Sequence, residues 1–310
     1  MQIVADYLNI DVSKVYRIDH HRCHAAYSYY ASSFRSERIL ALTVDGWGDG
    51  MNATIGIFDE EGSYVRHYAT DQCSIARFYR YMTLLLGLKP NQDEYKVMGL
   101  APYGEPKYKN LILDKLIDLK DDGTFRLNMK YFNYATGLTM INDKFCKLFG
   151  NPIRKSESEK ITQFHMDIAA SIQSVIEEII LKLVKKLSEE NECKNLCLAG
   201  GVALNCVANG KILKQGLYKN IWIQPAAGDA GGAVGAAIAF WYKELKNKRI
   251  LSSKDQMKGS YLGPKFNNNQ VEKVLKSLNA KFAKHEDKEL IEIVANDLSN
   301  KKIVGWLQGR

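Results

Sequence analysis

Alternating stretches of apolar residues define the first part of the chain as a mixture of strands and helices. A nearly continuous apolar run at 38–44 predicts a buried strand, and residues 51–58 predict a second one. The glycine-rich segment 45–50 between them is expected to close a hairpin, and a third strand is expected at 64–68. Three strands that follow one another in this way argue against a simple doubly wound sheet.

Apolar positions at helical spacing predict the remaining major elements. The helix at 164–187 carries a broad apolar stripe, as a helix packed against a core does. Two strand–turn–helix units follow it, with strands at 195–199 and 220–223 and turns at 200–201 and 226–229. The predicted longer helices span 20–33, 75–86, 164–187, 202–213, 230–242, 267–278 and 288–298.

Three segments show less regular patterns. Residues 1–19 predict a short helix followed by a strand at 14–18, and 302–307 predict another strand. Residues 105–160 are irregular and mixed in character. We interpret them as an insertion that carries a small sheet.

The length of the chain is sufficient for two domains. With 310 residues and 46% hydrophobic composition, each domain can bury a core of its own. The lysine-rich, polar segment 246–260 predicts a linker. The first domain is therefore expected at 1–245 and the second at 261–310.

Composition predicts a cytoplasmic protein without a membrane segment. No run approaches the roughly 20 apolar residues of a membrane span, and residues 1–6 lack the basic start and apolar stretch of a signal peptide. The six cysteines are scattered along the chain, and their spacing matches neither a zinc knuckle nor a redox pair. They are expected to be reduced thiols.

The net charge of +8 is concentrated near the C-terminus. Residues 241–310 hold 15 Lys and Arg against 8 Asp and Glu, whereas the preceding part is nearly balanced. Nucleic acid is one explanation for such a basic segment. Because the lysines alternate with acids and no aromatic stripe accompanies them, a solvated helical face near a phosphorylated ligand is favoured.

Candidate chemistry begins with a cluster of histidines. Three of the six histidines lie within residues 20–24, and His20 and His24 are one helical turn apart. A single histidine is usually a surface residue or part of a helix cap. The pair, together with Asp45 at the end of a predicted strand, favours a metal site. His21 lies about 100° around the helix and is expected to face elsewhere.

Four glycine-bearing turns are the second sign of a ligand site, at 45–50, 99–104, 200–201 and 228–232. Glycine lets backbone amides approach a phosphate, and a helix N-terminus adds partial positive charge. One such turn alone often serves only close packing. Two strand–turn–helix units in tandem with a strand–Asp-Gly–strand hairpin form the layout of an actin-like domain, which binds ATP between two similar halves.

Five motifs in a fixed order give a more specific assignment. They are HHxxHAA at 20–26, VDGxGD at 44–49, YKVMGLAPYG at 95–104, LAGGVALN at 198–205 and GDAGGA at 228–233. In these motifs the chain resembles the O-carbamoyltransferase family of antibiotic-modifying and nodulation enzymes. The segment VGWLQGR at 304–310 is similar to the opening of that family's second domain.

The resemblance implies an α/β protein with the actin-like ATPase superfold, built from ribonuclease-H-like halves and similar to the enzyme that transfers threonylcarbamoyl to tRNA. The start of a second α/β domain would follow. The implied activity is ATP-dependent transfer of a carbamoyl group from carbamoyl phosphate, through carbamoyl adenylate, to a hydroxyl of a small acceptor molecule. A homodimer is compatible with this interpretation, whereas a membrane or nucleic-acid partner is not expected.

The resemblance also assigns the site residues. The implied metal ligands are His20, His24, Asp45 and Asp229. Such mixed imidazole and carboxylate ligation suits iron, the metal usually described for the family, and also manganese or zinc. The implied nucleotide-binding residues, which would hold ATP or the adenylate, are Gly46, Gly48, Asp49, Lys96, Gly200, Gly201, Val202, Asn205 and Gly228.

Alternative functions are also considered. Relative to the family, the chain is expected to begin after the first strand and to end soon after the second domain starts. A non-catalytic fragment that binds nucleotide and metal, or a threonylcarbamoyl-type transferase, is therefore an alternative. An actin-like sugar kinase does not need paired histidines, and the helical zinc-protease motif needs Glu where His21 stands.

Overall fold

A computed structural model describes residues 1–34, 37–70, 73–135, 137–251, 255 and 257–307. The chain forms two compact units, Met1–Arg249 and Ile250–Arg310. The boundary between the units lies inside the segment predicted as a linker.

The first unit contains most of the regular structure. The strands are β1 Ile39–Gly48, β2 Met51–Phe58, β3 Tyr64–Thr70, β4 Ile117–Leu119, β5 Phe125–Leu127, β6 Asn195–Ala199 and β7 Asn220–Ile223. The helices of this unit are α1 Gln2–Leu8, α2 His20–Ala31, α3 Ile75–Leu85, α4 Glu94–Leu100, α5 Lys109–Lys115, α6 Asp143–Phe149, α7 Gln163–Glu190, α8 Cys206–Gln215 and α9 Asp229–Ala239.

A five-stranded mixed sheet with the order β3–β2–β1–β6–β7 forms the centre of this unit. β1 pairs with β2 in antiparallel and with β6 in parallel orientation, so the hairpin and the first strand–helix unit meet at the central strand. β4 and β5 form a separate small antiparallel sheet. The mixed α/β class, the hairpin and the small sheet within 105–160 are thus confirmed.

The central strand β1 extends further than the sequence pattern predicts. Its pairing with β2 shifts between Val44, which faces Ala53, and Gly48, which faces Met51, so three residues of β1 lie opposite one of β2. This irregularity keeps the chain extended although the apolar run has ended. The turn was predicted at 45–50, but in the structure it comprises only residues 49–50.

The core lies between the sheet and α7, and it includes the predicted insertion. Ile112, Leu116 and Phe145 from that segment are fully buried in the same cluster as Ile172 and Val175 of α7. The sequence pattern of residues 105–160 does not predict these contacts, because the apolar residues are distributed over several short elements. Residues 105–160 thus contribute to the main core.

Two predicted strands are wrong. Residues 14–18 contain the end of a 3₁₀ turn, Val12–Lys14, and then irregular chain, and 302–307 are irregular. A short apolar run becomes a strand only when a partner strand lies beside it, and none is present there in the described ranges.

Two glycine segments also differ from their predicted form. Gly99 lies within α4, so the segment predicted as a turn at 99–104 is a helix followed by a 3₁₀ turn, Ala101–Tyr103. The helix predicted from 202 starts as a 3₁₀ turn, Gly201–Leu204, and becomes α-helical only after Asn205. The side chain of Asn205 accepts a hydrogen bond from the amide of Ala208 and so caps α8.

The second unit contains the two helices predicted for it. They are α10 Asn268–Ser277 and α11 Asp287–Ser299. Residues 308–310 of the predicted C-terminal motif lie outside the described residues. Among the helices in the described ranges, none has the length and apolar character that spanning a bilayer requires. All six cysteines are free.

The start of α7 is fixed by a buried carboxylate. Asp167 accepts hydrogen bonds from the amide of Glu105 at 2.9 Å, from Lys107 Nζ at 2.7 Å and from Gln163 Nε2 at 2.8 Å. These donors, the Glu105 amide foremost, lower the pKa of Asp167 to about 2. Asp167 therefore stabilises the fold in its ionised form.

We expect Asp167→Ala to lower the free energy of unfolding at neutral pH by about 1.5–3 kcal/mol, the range for hydrogen bonds to a charged group. Because the folded pKa lies below the ordinary value of 3.8, this contribution is complete well above pH 3.8 and is lost as the pH falls through about 2. Urea unfolding of both proteins across this range measures it. The exposed pair Asp118–Lys120 offers the control Asp118→Ala, for which little change is expected. A pH-independent difference for Asp167→Ala would contradict this account.

Candidate functional site

The helix α2 presents the two histidines of the predicted metal site at its first turns. Asp19 caps the helix by accepting a hydrogen bond from the amide of Arg22 at 2.9 Å. The amide of His20 donates to Asp49 Oδ2 at 2.8 Å, and Arg17 holds the same carboxylate at 2.6 Å. The turn after β1 thus fixes the start of α2.

The other end of α2 is fixed by Arg249, which belongs to the segment predicted as a linker. Its Nη2 donates to the carbonyls of Tyr29, Tyr30 and Ser32 at 2.6–3.1 Å, and its Nη1 donates to that of Phe34 at 2.9 Å. The carbonyl of Tyr29 also accepts from the amide and the hydroxyl of Ser32, and Arg249 adds donors at this helix end, where carbonyls lack intrahelical amides. Both ends of the helix are therefore held by side chains from outside it.

Four donor groups converge beside the first turns of α2. His20 Nε2, His24 Nε2 and Asp45 Oδ2 lie 2.8–3.1 Å from one another. Asp229 Oδ1 lies 3.4 Å and 3.5 Å from the two imidazole nitrogens. All four donor atoms lie within 4.8 Å of one another. Of the four side chains, His24 is fully buried and Asp229 is largely exposed.

Charge is strongly coupled in this cluster. Hydrogen bonding to Asp45 raises the pKa of His20. Burial acts to raise the pKa of Asp45, but hydrogen bonds with His20 and His24 outweigh it and the pKa is lowered overall. Partial burial and the adjacent Asp45 carboxylate raise the pKa of Asp229. Two carboxylates held this close disfavour joint ionisation unless a cation lies between them.

The donor set fits a divalent metal. A tetrahedral site with metal–ligand bonds of about 2.0–2.2 Å places neighbouring donor atoms about 3.3–3.6 Å apart, close to the separations in the cluster. Three of the donor atoms, His20 Nε2, His24 Nε2 and Asp45 Oδ2, are in mutual contact. A single proton between two of them forms one hydrogen bond and leaves the other two contacts without a proton. A cation at the centre of these atoms would satisfy all of them.

Glycines allow the elements of the cluster to approach. A Cβ on Gly48 would stand 2.1 Å from ring carbons of His20. On α9, a Cβ on Gly231 would stand 2.3 Å from the ring of Tyr27, and one on Gly235 would stand 2.2 Å from the carbonyl of Cys23. Glycine at 231 and 235 lets α9 pack closely on α2, so that Asp229 reaches the histidines. Glycine at 48 leaves room for the ring of His20 beside β1.

The cluster lies at one wall of a cavity of about 600 Å³. Asp45 and Gly46 of β1 line it, as do Asp229 and residues of the turns after β6 and β7. The opposite walls come from α3, α4 and the segment before α4. The volume is of the size that small-molecule and cofactor sites occupy.

Comparison with known proteins assigns the chain to a family. A family model described as carbamoyltransferase N-terminus matches residues 2–238. The chain belongs to this family. The predicted membership in the carbamoyltransferases is thereby confirmed.

Relatives within the family support this assignment. The chain is 51% identical to the uncharacterized protein sll1178 of Synechocystis sp. over 94% of the chain and 47% of that protein. It is 32% identical to the nodulation protein NolNO of Sinorhizobium fredii, over 97% of the chain and 42% of that protein. It is 31% identical to the nodulation protein NolO of Bradyrhizobium diazoefficiens, over 94% of the chain and 50% of that protein. The chain spans about half the length of these curated relatives.

Residues predicted from the carbamoyltransferase motifs fall into two groups. The structure brings together the four predicted metal ligands. The predicted nucleotide residues that line the cavity are Gly46, Gly201, Val202, Asn205 and Gly228.

The other predicted nucleotide residues lie outside the cavity lining. Gly48 packs on His20, and Asp49 holds Arg17 and the amide of His20. Gly200 follows β6 directly, and its amide donates a hydrogen bond to the carbonyl of Ala227 at 2.8 Å. Lys96 is half exposed and pairs with Asp93 at 2.8 Å. His21 is buried and contacts Thr43 and the carbonyl of Met51, so the prediction that it faces away from the cluster is confirmed.

Several cavity residues were not among the predicted site residues, although Tyr95 and Met98 belong to the motif at 95–104. They come from α3 and from the segment around the start of α4, and they include Tyr79, Arg80, Glu94, Tyr95 and Met98. The apolar spacing of α3 predicts a helix but does not show which polar residue faces a ligand.

Proposed function

We propose that this chain supplies the transfer site of an ATP-dependent O-carbamoyltransferase. Carbamoyl phosphate, ATP and water would give carbamoyl adenylate, phosphate and pyrophosphate. The hydroxyl oxygen of a small acceptor would then attack the carbamoyl carbon, lose its proton to solvent and release AMP. The observation that carries the proposal is the convergence of two imidazoles and two carboxylates at one wall of a nucleotide-sized cavity, in a member of the carbamoyltransferase family.

The residues of the chain would bind and orient the adenylate. Gly46, Gly201 and Gly228 line the cavity without side chains, so a phosphate can approach the backbone closely. Asn205 Oδ1 accepts from Ala208 and from Gln173. Among the described residues, one of the two N–H donors of Asn205 has a partner, Gln173. The second N–H of Asn205 is left to bind a ligand oxygen.

The four-donor cluster would hold iron, with manganese and zinc as chemically compatible alternatives. When bound there, the metal would polarise an oxygen of the carbamoyl or phosphate group. The amide of Gly46 donates to Asp45 Oδ1 at 2.6 Å and so orients the carboxylate for this role.

Carbamoylation of a hydroxylated acceptor tests the proposal. The metal-loaded chain is incubated with the acceptor and with labelled carbamoyl groups, supplied either as carbamoyl phosphate plus ATP or as preformed carbamoyl adenylate. We expect a carbamoylated acceptor and AMP from the adenylate, measured by mass spectrometry and by nucleotide chromatography. No product in either arm would overturn the proposal and would favour a binding role without turnover. A parallel incubation contains tRNA and a threonylcarbamoyl donor. Transfer in this incubation alone would favour the threonylcarbamoyl-type transferase.

A further inference from the structure

Arg80 is the one positively charged side chain among the described residues that line the cavity. It lies on α3 and is partly buried. Its Nη2 stands 2.9 Å from the position that a Cβ on Gly46 would occupy, so the guanidinium lies against the backbone next to Asp45. The group is therefore held close to the four-donor cluster.

No partner within the described part of the chain neutralises Arg80. None of the described carboxylates lies within 4.0 Å of its guanidinium, and no described group accepts a hydrogen bond from it. Glu94, an acidic residue of the cavity wall, accepts a hydrogen bond from the amide of Asn91 at 2.7 Å. Partly buried guanidinium groups usually have an anionic or carbonyl partner, because they carry five donors and no acceptor.

The neighbouring arginine on the same helix differs in this respect. Arg77, one turn earlier on α3, stacks over the ring of Trp47 at 4.5 Å and over that of Tyr134 at 5.5 Å. It does not line the cavity. Arg77 thus has an evident packing role, whereas the donors of Arg80 remain available to a ligand.

Lys96 is a poorer candidate for an anion contact. Its Nζ pairs with Asp93 Oδ1 at 2.8 Å, and its side chain is 48% exposed outside the cavity lining. Such an exposed pair would have to break before the lysine could reach a ligand.

We infer that Arg80 binds the phosphate group of the nucleotide in this cavity, an inference that rests on the proposed function. A planar guanidinium can donate two parallel hydrogen bonds to phosphate oxygens. In the transfer step the bond between the carbamoyl carbon and the phosphate oxygen breaks, and its electron pair stays on AMP. Arg80 is placed to hold that phosphate beside the cluster and to stabilise the charge that it gains.

The affinities of the chain for AMP and adenosine, measured by isothermal titration calorimetry, test this assignment. We expect the unmodified chain to bind AMP about tenfold or more tightly than adenosine, the range for charge-assisted hydrogen bonds. Arg80→Gln is expected to remove most of this preference while leaving adenosine affinity unchanged. The matched control Arg77→Gln is expected to retain it, and Lys96→Gln tests the other basic residue predicted at the site.

Three outcomes would overturn the assignment. They are no preference for AMP in the unmodified chain, a preference that survives in Arg80→Gln, and a preference lost in Lys96→Gln instead. If Arg80→Gln fails to bind adenosine, Arg80→Met decides, because Met fills a similar volume without charge or donors. Reduced AMP affinity with normal adenosine affinity in that variant supports the contact, and unchanged AMP affinity overturns it.

Failure of the inference and failure of the proposed function give different results. No carbamoylated product together with an Arg80-dependent AMP preference would overturn the reaction but keep the phosphate contact. Carbamoyl transfer with an AMP preference that does not depend on Arg80 would overturn only the contact.

Discussion

The double variant His20→Ala, His24→Ala is expected to lose its divalent metal. Both imidazoles supply a donor atom to the cluster, and the two carboxylates that remain cannot complete a four-donor site. Loss of even an outer partner of a metal ligand commonly lowers affinity by about 10–100-fold, so removal of two ligands should lower it by more than that. Metal analysis of the purified proteins and titration with Fe²⁺, Mn²⁺ and Zn²⁺ measure the change.

The chain provides a matched control for this variant. His67 is exposed on β3 and His285 lies in the second unit, so His67→Ala, His285→Ala removes the same number of imidazoles elsewhere. We expect unchanged metal content in this control. Equal metal content in the two double variants would show that the four-donor cluster does not hold the metal.

The second large effect is expected at Gly200. Its φ of 88° and ψ of 170° lie in a region that is essentially restricted to glycine, where another residue costs about 1–3 kcal/mol. A Cβ there would also stand 2.3 Å from the carbonyl oxygen of Val44 in β1. Gly200→Ala is therefore expected to lower the free energy of unfolding by about 3 kcal/mol or more, measured by urea denaturation.

Gly216 provides a comparison position that has a positive φ but no close contact for a Cβ. Its φ is 64°, at the end of α8, and a Cβ there would meet nothing within 4 Å. Gly216→Ala is expected to cost only about 1–2 kcal/mol, the cost of the left-handed conformation. Similar losses for both variants would mean that contact with Val44 contributes little.

The sequence was sufficient to predict the elements that determine the sheet. Continuous apolar runs identified β1 and β2, and helical spacing identified α3 and α7, because burial produces these patterns directly. The end of β1 was missed, since a strand that continues through an irregular pairing does not keep its alternation. The strand predicted at 302–307 was wrong because pairing depends on a neighbour that a local pattern does not reveal.

The candidate site was predictable to a similar degree. The histidine spacing and the strand-end position of Asp45 pointed to a metal cluster, and the family motifs added Asp229; the structure brings these residues together. Their role as ligands remains a prediction. Arg80 could not be predicted, because its place in the cavity depends on how α3 packs beside β1. The glycine motif did not separate Gly201, which lines the cavity, from Gly200, which the fold requires for its backbone.

The positions of the four donors along the chain connect metal binding to folding. His20 and His24 come from α2, Asp45 from the central strand and Asp229 from the start of α9, so the cluster exists only when these distant segments are packed together. A metal bound by all four would therefore bind the folded chain in preference to the unfolded one. At a free concentration one hundred times its dissociation constant, such a ligand adds about 2.7 kcal/mol to stability. The metal would then act as a non-covalent cross-link between the first helix of the site and the last.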